Sequence, residues 1–121
     1  MSYEFYKVLH HIGLFMLFLG IGGLLFSFAM KVEVPKNLKS LGFMLHGFGL
    51  LVLLISGFGQ LAKLDLMKSI PGWAFAKMGI WLLMGGMAPL IKKKGHQTAA
   101  FALIILAIGG LAATLAIEKP F

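Results

Sequence analysis

Residues 5–29 read FYKVLHHIGLFMLFLGIGGLLFSFA, an apolar stretch in which Lys7 is the only residue with a full charge. A helix needs about 20 such residues to cross the roughly 30 Å of hydrocarbon in a bilayer. Lipid offers no partners for backbone amides, and the stretch lacks the alternating pattern of a membrane strand, so we expect a helix. It is too long for a secretory signal and has no A-x-A exit, which predicts a permanent membrane span.

Three more stretches of the same kind follow, at residues 41–62, 72–91 and 98–117. The segments that join the four stretches are short, and short loops make neighbouring helices run antiparallel. The sequence therefore predicts a single all-α domain over residues 1–121, an antiparallel four-helix transmembrane bundle.

The composition excludes most other classes of protein. Of the 121 residues, 60% are hydrophobic and 12% are charged, whereas a soluble domain carries about 25% charged residues. Cysteine is absent, which excludes disulfides, thiolate-bound zinc and covalently attached c-type haem. The net charge of +7 comes from eleven lysines without arginine. We interpret it as contact with lipid headgroups, since nucleic-acid binding would need a basic groove on a soluble surface.

The lysines are unevenly divided between the two ends of the predicted bundle. The first and third connections hold six of them, Lys31, Lys36, Lys39, Lys92, Lys93 and Lys94. The opposite side holds four, Lys7, Lys63, Lys68 and Lys119, while Lys77 lies inside a span. Because positively charged loops stay in the cytoplasm, this balance predicts a protein of the bacterial inner membrane with both termini in the periplasm.

Polar side chains inside the spans are informative, because each is costly in lipid unless it has a partner. In the first span, His10 shares a stripe with Lys7, whereas His11 lies above large apolar side chains that suit lipid. In the third span the polar residue is Lys77. In the second span a histidine lies on a continuous face of small and polar residues, formed by Gly42, His46, Gly49, Leu53, Ser56 and Gln60.

Depth decides which of these groups can meet. At about 1.5 Å per residue, His10 and Lys77 both lie roughly 8 Å below the boundary on the side of the termini. His46 lies roughly 8 Å from the opposite boundary, which leaves about 15–20 Å along the membrane normal between His10 and His46. One iron ion therefore cannot bind both histidines. Either each belongs to a separate metal site, or only one is a ligand.

An imidazole and an ammonium at one depth on facing helices suit an anionic ligand with a metal centre, and haem b is such a ligand. We expect His10 to ligate the iron and Lys77 to pair with a propionate. Met78 is a candidate second axial ligand, although on an ideal helix it points about 100° away from Lys77. A quinone or a proton-exchange site is also compatible with these groups.

One pattern occurs twice in the chain. The first copy is His10-x-x-Gly13-Leu14-x-x-Leu17-x-x-Gly20, and the second is His46-x-x-Gly49-Leu50-x-x-Leu53-x-x-Ser56. Since the two spans run in opposite directions, the repeat places one histidine near each face of the membrane. It indicates either a second haem site with His46 as metal ligand or a coincidence in leucine- and glycine-rich sequence.

Parts of three spans also resemble a known family. The matching segments are Tyr6-Lys7-Val8-Leu9-His10-His11-Ile12, Gly72-Trp73-Ala74-Phe75-Ala76-Lys77 and the stretch 46–57. They are similar to segments of the small four-helix SirB-like membrane proteins, which are related in pattern to HemJ-type protoporphyrinogen oxidases. HemJ-type proteins are b-haem enzymes of haem synthesis, so the resemblance implies a haem near His10 and an important Lys77.

Each polar residue also has an interpretation without a cofactor. His10 and His11 could meet water or headgroups, and His46 could make an inter-helix hydrogen bond. Lys77 could extend its stem to the headgroups. The alternative function is then a non-catalytic accessory or regulatory subunit, packed on larger membrane partners or in a homo-oligomer through glycine- and alanine-rich faces. A proton-coupled transporter is disfavoured, because every Asp and Glu lies at a span end or in a loop. Whether the chain is an enzyme stays open.

Overall fold

Four helices make up most of the structure. The computed structural model describes residues 2–30, 33–94 and 97–120. Its helices are α1 (Tyr3–Ala29), α2 (Lys36–Lys63), α3 (Gly72–Lys94) and α4 (Thr98–Glu118). The structure is 86% helical, and no strand occurs in the described ranges, which confirms the predicted all-α four-helix fold. All four helices are long and apolar enough to cross a membrane, as expected of a multi-pass membrane protein. Of the lysines used to predict orientation, Lys31 lies outside the described residues.

Local sequence explains where the helices begin and end. The Ser2 hydroxyl accepts a hydrogen bond from the Phe5 backbone N–H at 3.1 Å and so caps α1. α2 begins at Lys36, earlier than the predicted residue 41, because its polar first turn continues the helix beyond the apolar span. It begins no earlier because Pro35 disfavours helical geometry in the residue before it. α4 ends where Lys119 adopts the left-handed conformation, with φ of 47°.

α1 and α3 each contact all three of the other helices. α2 and α4 make no contact within the described part of the chain, so they lie at opposite corners of the bundle. The most extensive contact joins α1 to α2. This antiparallel pair is the unit against which α3 and α4 pack.

Glycines bring the backbones of α1 and α2 into direct contact. A Cβ atom added to Gly20 would lie 2.5 Å from the backbone nitrogen of His46, and one added to Gly49 would lie 2.6 Å from that of Leu17. Neither position has room for a side chain. Such close approach is typical of helix pairs in membranes, where small residues allow backbone packing.

The same contacts define the register of the pair. The facing residues are Gly13 with Leu53, Leu17 with Gly49, Gly20 with His46, and Leu24 with Gly42. In every pair the two residue numbers add up to 66. We call this set of contacts the α1–α2 seam. The twice-occurring sequence pattern lies along it, so the two copies are related by an approximate two-fold axis that crosses the helix pair.

Side-chain packing is concentrated in one half of the bundle. We call this half the Pro89 end and the half with both chain termini the His10 end. The hydrophobic core lies from the middle of the bundle to the Pro89 end and consists of Leu17, Ile21, Leu25, Leu53, Met84, Met87, Ile91, Phe101 and Ile105. At the His10 end, the described side chains that are buried are Ser56, Leu61, Ala74 and Leu115. Fewer side chains are therefore buried at the His10 end.

The seam predicts which glycines tolerate alanine. Gly20→Ala and Gly49→Ala place a methyl group against backbone atoms, so we expect each to lower the free energy of unfolding by about 1–3 kcal/mol. Gly23→Ala is the matched control, since a Cβ there meets nothing within 4 Å, and alanine favours the helix by up to about 1 kcal/mol. Unfolding in mixed detergent micelles measures the difference. Equal stability of the three variants would contradict the seam.

Candidate cofactor site at the His10 end

His10 is held by a hydrogen-bonded chain that starts on α1 and ends in the backbone of α2. Its Nδ1 lies 2.8 Å from the Oγ of Ser56, which is fully buried. The Ser56 hydroxyl in turn donates to the Leu53 carbonyl at 3.2 Å. Because the hydroxyl has one hydrogen and gives it to Leu53, its oxygen accepts from His10. The proton of a neutral His10 ring is therefore on Nδ1, and the lone pair is on Nε2.

The position of the His10 ring follows from the small residues around Ser56. A Cβ on Gly57 would lie 3.8 Å from His10 Cε1, and a Cβ on Gly59 would overlap the ring of Tyr6. The last turns of α2 thus leave room for two rings from α1. Donation from Nδ1–H to a neighbouring group is the usual arrangement of a histidine that binds a metal through Nε2. The same arrangement suits a histidine that accepts a proton at Nε2.

Lys77 reaches the same end of the bundle from α3. It is half-buried, and its ammonium interacts electrostatically with the His10 ring. The structure therefore places Lys77 and His10 at the same end of the bundle, as the depth argument predicts. The positive charge of Lys119 also acts on Lys77. The Nζ atom of Lys119 lies 5.4 Å from the centre of the Trp73 ring.

Sequence reasoning missed the contact of Lys119 with α3. In the sequence, Lys119 is only one of the lysines on the side of the chain termini. The available signal was the spacing of Trp73 and Lys77, four residues apart on α3 and thus on one face. That face is the one to which the end of α4 returns.

Met78 follows Lys77 directly and is half-buried. On α3, successive side chains point about 100° apart, so Met78 and Lys77 face different directions. The suggested role of Met78 as a second axial ligand stays a prediction.

His46 lies in a different environment from His10. Its side chain is 3% exposed, and Nε2 lies 2.9 Å from the Met84 carbonyl of α3. A carbonyl oxygen can only accept, so Nε2 carries the hydrogen and the buried Nδ1 holds a lone pair. No hydrogen-bond partner for Nδ1 occurs among the described residues. A metal bound by His46 would have to displace the Met84 bond or enter the interface at Nδ1.

Among the residues that the structure describes, two hydrogen bonds join a side chain to the backbone across α2 and α3, and the bond from His46 is one of them. In the other, Trp81 Nε1–H donates to the Leu50 carbonyl at 2.8 Å. Pro89 lies inside α3, and its missing N–H leaves the Gly85 carbonyl without its usual helical partner. His46 therefore binds α3 next to the turn that Pro89 weakens. The inter-helix hydrogen bond that the sequence suggested as an alternative role of His46 is present.

His11, next to His10, faces outward. It is exposed, and its Nδ1 lies 2.8 Å from the Lys7 carbonyl one turn earlier on the same helix. This contact is local to α1 and connects His11 to no other helix, so His11 is a matched control for experiments on His10.

The chain matches no protein-family model, no curated protein and no solved structure. The resemblance to SirB-like and HemJ-type proteins accordingly stays a prediction.

The buried His46 and the exposed His11 give different predictions for stability. His46→Leu removes the bond to Met84 and replaces the imidazole with an apolar side chain of similar size. Inter-helix hydrogen bonds in membranes contribute about 1 kcal/mol. We therefore expect the free energy of unfolding to fall by about that amount. His11→Leu changes an exposed side chain, and we expect a change within about 0.5 kcal/mol. Denaturation in micelles, followed by circular dichroism, compares them; equal losses would argue against a bridging role of His46.

Proposed function

We propose that the protein is a b-type haem-binding membrane protein that acts in electron transfer or in haem and porphyrin handling. His10 would bind the iron through Nε2, and Lys77 would pair with a propionate. The observation that carries the proposal is the hydrogen bond from His10 Nδ1 to Ser56, because it orients the ring and puts the lone pair on Nε2. A bound haem supplies an iron centre that can take up and release one electron.

Two further features of the His10 end support this proposal. The hydrophobic core lies from the middle of the bundle to the other end, and fewer side chains are buried around His10. Lys77 is a half-buried cation whose electrostatic neighbours are His10 and Lys119, so the site has a positive charge to offer an anionic cofactor. Iron and propionate would thus each have one partner from the chain.

The location follows from the lysine balance of the sequence. We propose that the protein lies in the bacterial inner membrane with both termini in the periplasm, since the loops at the Pro89 end contain more lysines. The His10 site would then lie in the periplasmic half of the bilayer, where a periplasmic electron donor or acceptor could approach it.

A second candidate function is a non-catalytic accessory or regulatory subunit. It is favoured by the outward side of α3, where Cβ atoms on Gly79 and Gly86 would meet nothing within 4 Å. Their spacing of seven residues equals that of Gly13 and Gly20 in the α1–α2 seam. A helix of a partner protein, or of a second copy, could pack there in the same way. This function predicts colourless protein that co-purifies with other subunits.

The absorption spectrum of purified protein, with and without dithionite, tests the haem proposal. We expect a Soret band that shifts on reduction, loss of that band in His10→Ala, and retention in His11→Ala. Removal of the axial ligand leaves the iron unbound, whereas His11 faces outward. Purified protein that stays colourless after incubation with haemin, or a His10→Ala variant with an unchanged band, would overturn the proposal. Quinone recovered by solvent extraction from colourless protein would instead assign the site to a quinone.

Ser56 gives a more specific test of the orientation argument. Ser56→Ala keeps the helix and removes the acceptor for His10 Nδ1–H, and loss of such a partner typically weakens metal binding by about 10–100-fold. We expect haemin affinity to fall at least tenfold, as measured by Soret titration. Thr114→Ala is the matched control, because its hydroxyl donates within α4 to the Gly110 carbonyl. Equal affinities of the two variants would show that Ser56 does not orient the ligand.

A further inference from the structure

The segment that follows α4 contacts the face of α3 that carries Trp73 and Lys77. Trp73 and Lys77 lie one turn apart on α3, on a single face. The Nζ atom of Lys119 lies 5.4 Å from the centre of the Trp73 ring, within the range of a cation–π contact. Lys119 therefore lies against the face of α3 that carries Lys77, although it follows the end of α4.

The backbone of α4 fixes this position. Lys119 follows the last helical residue in the left-handed conformation, and its N–H donates to the Leu115 carbonyl at 3.1 Å. A non-glycine residue adopts this conformation at an energetic cost. The turn directs the chain away from the axis of α4, while Pro120 prevents the helix from continuing.

The two ammonium groups repel each other without a compensating acid. Among the described residues, Lys119 is the charged group that interacts electrostatically with Lys77, and no carboxylate does so. Glu118 directly precedes Lys119 in the sequence, and its side chain is exposed. No acidic residue lies in the first turn of α3, so the positive end of its helix dipole adds to the same field.

We propose that Lys77 and Lys119 form an oxyanion-binding site, with the Trp73 ring holding Lys119 in place. The ligand is a carboxylate or phosphate group whose oxygens accept hydrogen bonds from both ammonium groups. Two sources supply such a group at this depth: a haem propionate and the phosphate of an anionic phospholipid. With a propionate the inference rests on the proposed function, and with a lipid phosphate it does not.

Variants that remove one charge test this site. Lys119→Gln and Lys77→Gln each remove one of the two cations, while Lys68→Gln removes a lysine from the exposed α2–α3 connection at the same end. Lys119→Arg keeps the charge and its contact with Trp73. Each variant is purified, checked for helix content, and compared with the unmodified chain in two binding assays.

The first assay measures retention of phosphatidylglycerol against phosphatidylcholine by native mass spectrometry, and the second measures haemin affinity by Soret titration. A charge near the membrane surface contributes about 1 kcal/mol to binding of an anionic lipid, or roughly fivefold. We expect Lys119→Gln and Lys77→Gln to lower binding about fivefold in one of the assays, with Lys119→Arg and Lys68→Gln unchanged.

The outcomes separate the two sources and the two proposals. Weaker retention of phosphatidylglycerol identifies a lipid phosphate and supports the site even if the chain binds no haemin. Weaker haemin binding with unchanged lipid retention identifies a propionate. If Lys119→Gln matches Lys68→Gln in both assays, the oxyanion site is overturned, whereas loss of haemin binding in His10→Ala would still support the proposed function.

Discussion

Direct backbone contact between α1 and α2 is the constraint on which the other features depend. Gly20 and Gly49 leave no space for a side chain, so the observed register of the two helices depends on both glycines. That register places Ser56 opposite His10 and the backbone of His46 opposite Gly20. The positions of the half-buried His10 and the buried His46 therefore depend on the glycine contacts of the seam.

The seam is nearly symmetric in sequence, yet its two histidines differ in chemistry. Each copy of the pattern ends ten positions after its histidine, at Gly20 in the first and at Ser56 in the second. Since the helices are antiparallel, Ser56 provides a hydroxyl to His10, whereas Gly20 provides none to His46. A neutral His10 consequently has its lone pair on Nε2, while His46 donates from Nε2 to α3 and its Nδ1 remains without a partner in the described part of the chain. The difference between Gly20 and Ser56 within the repeat thus makes His10 a candidate ligand and His46 a bridge between helices.

Sequence reasoning was most reliable where one physical rule dominated. Apolar length identified all four spans, and helical periodicity identified the seam face of α2, on which His46 and Ser56 are both buried. It did not identify the partner residues where the outcome depends on contacts between distant segments. The hydrogen bond from His46 to Met84 and the contact of Lys119 with Trp73 depend on how α3 and α4 pack, and no local pattern encodes that packing. The start of α2 at Lys36 was missed because a hydropathy criterion ends where the apolar residues end, whereas a helix ends where its backbone geometry is blocked.

The surroundings of Lys77 bear on whether it is merely a lysine that extends to the headgroups. A flexible ammonium with water in reach moves away from other cations, because like charges repel and water screens each of them. Lys77 instead remains half-buried with His10 and Lys119 as its electrostatic neighbours. Its position is set by the packing of α3 against α1 and α4, and the repulsion is a cost that the bundle bears. An anion bound between these groups would offset that cost, and this is the physical reason for proposing an oxyanion site there.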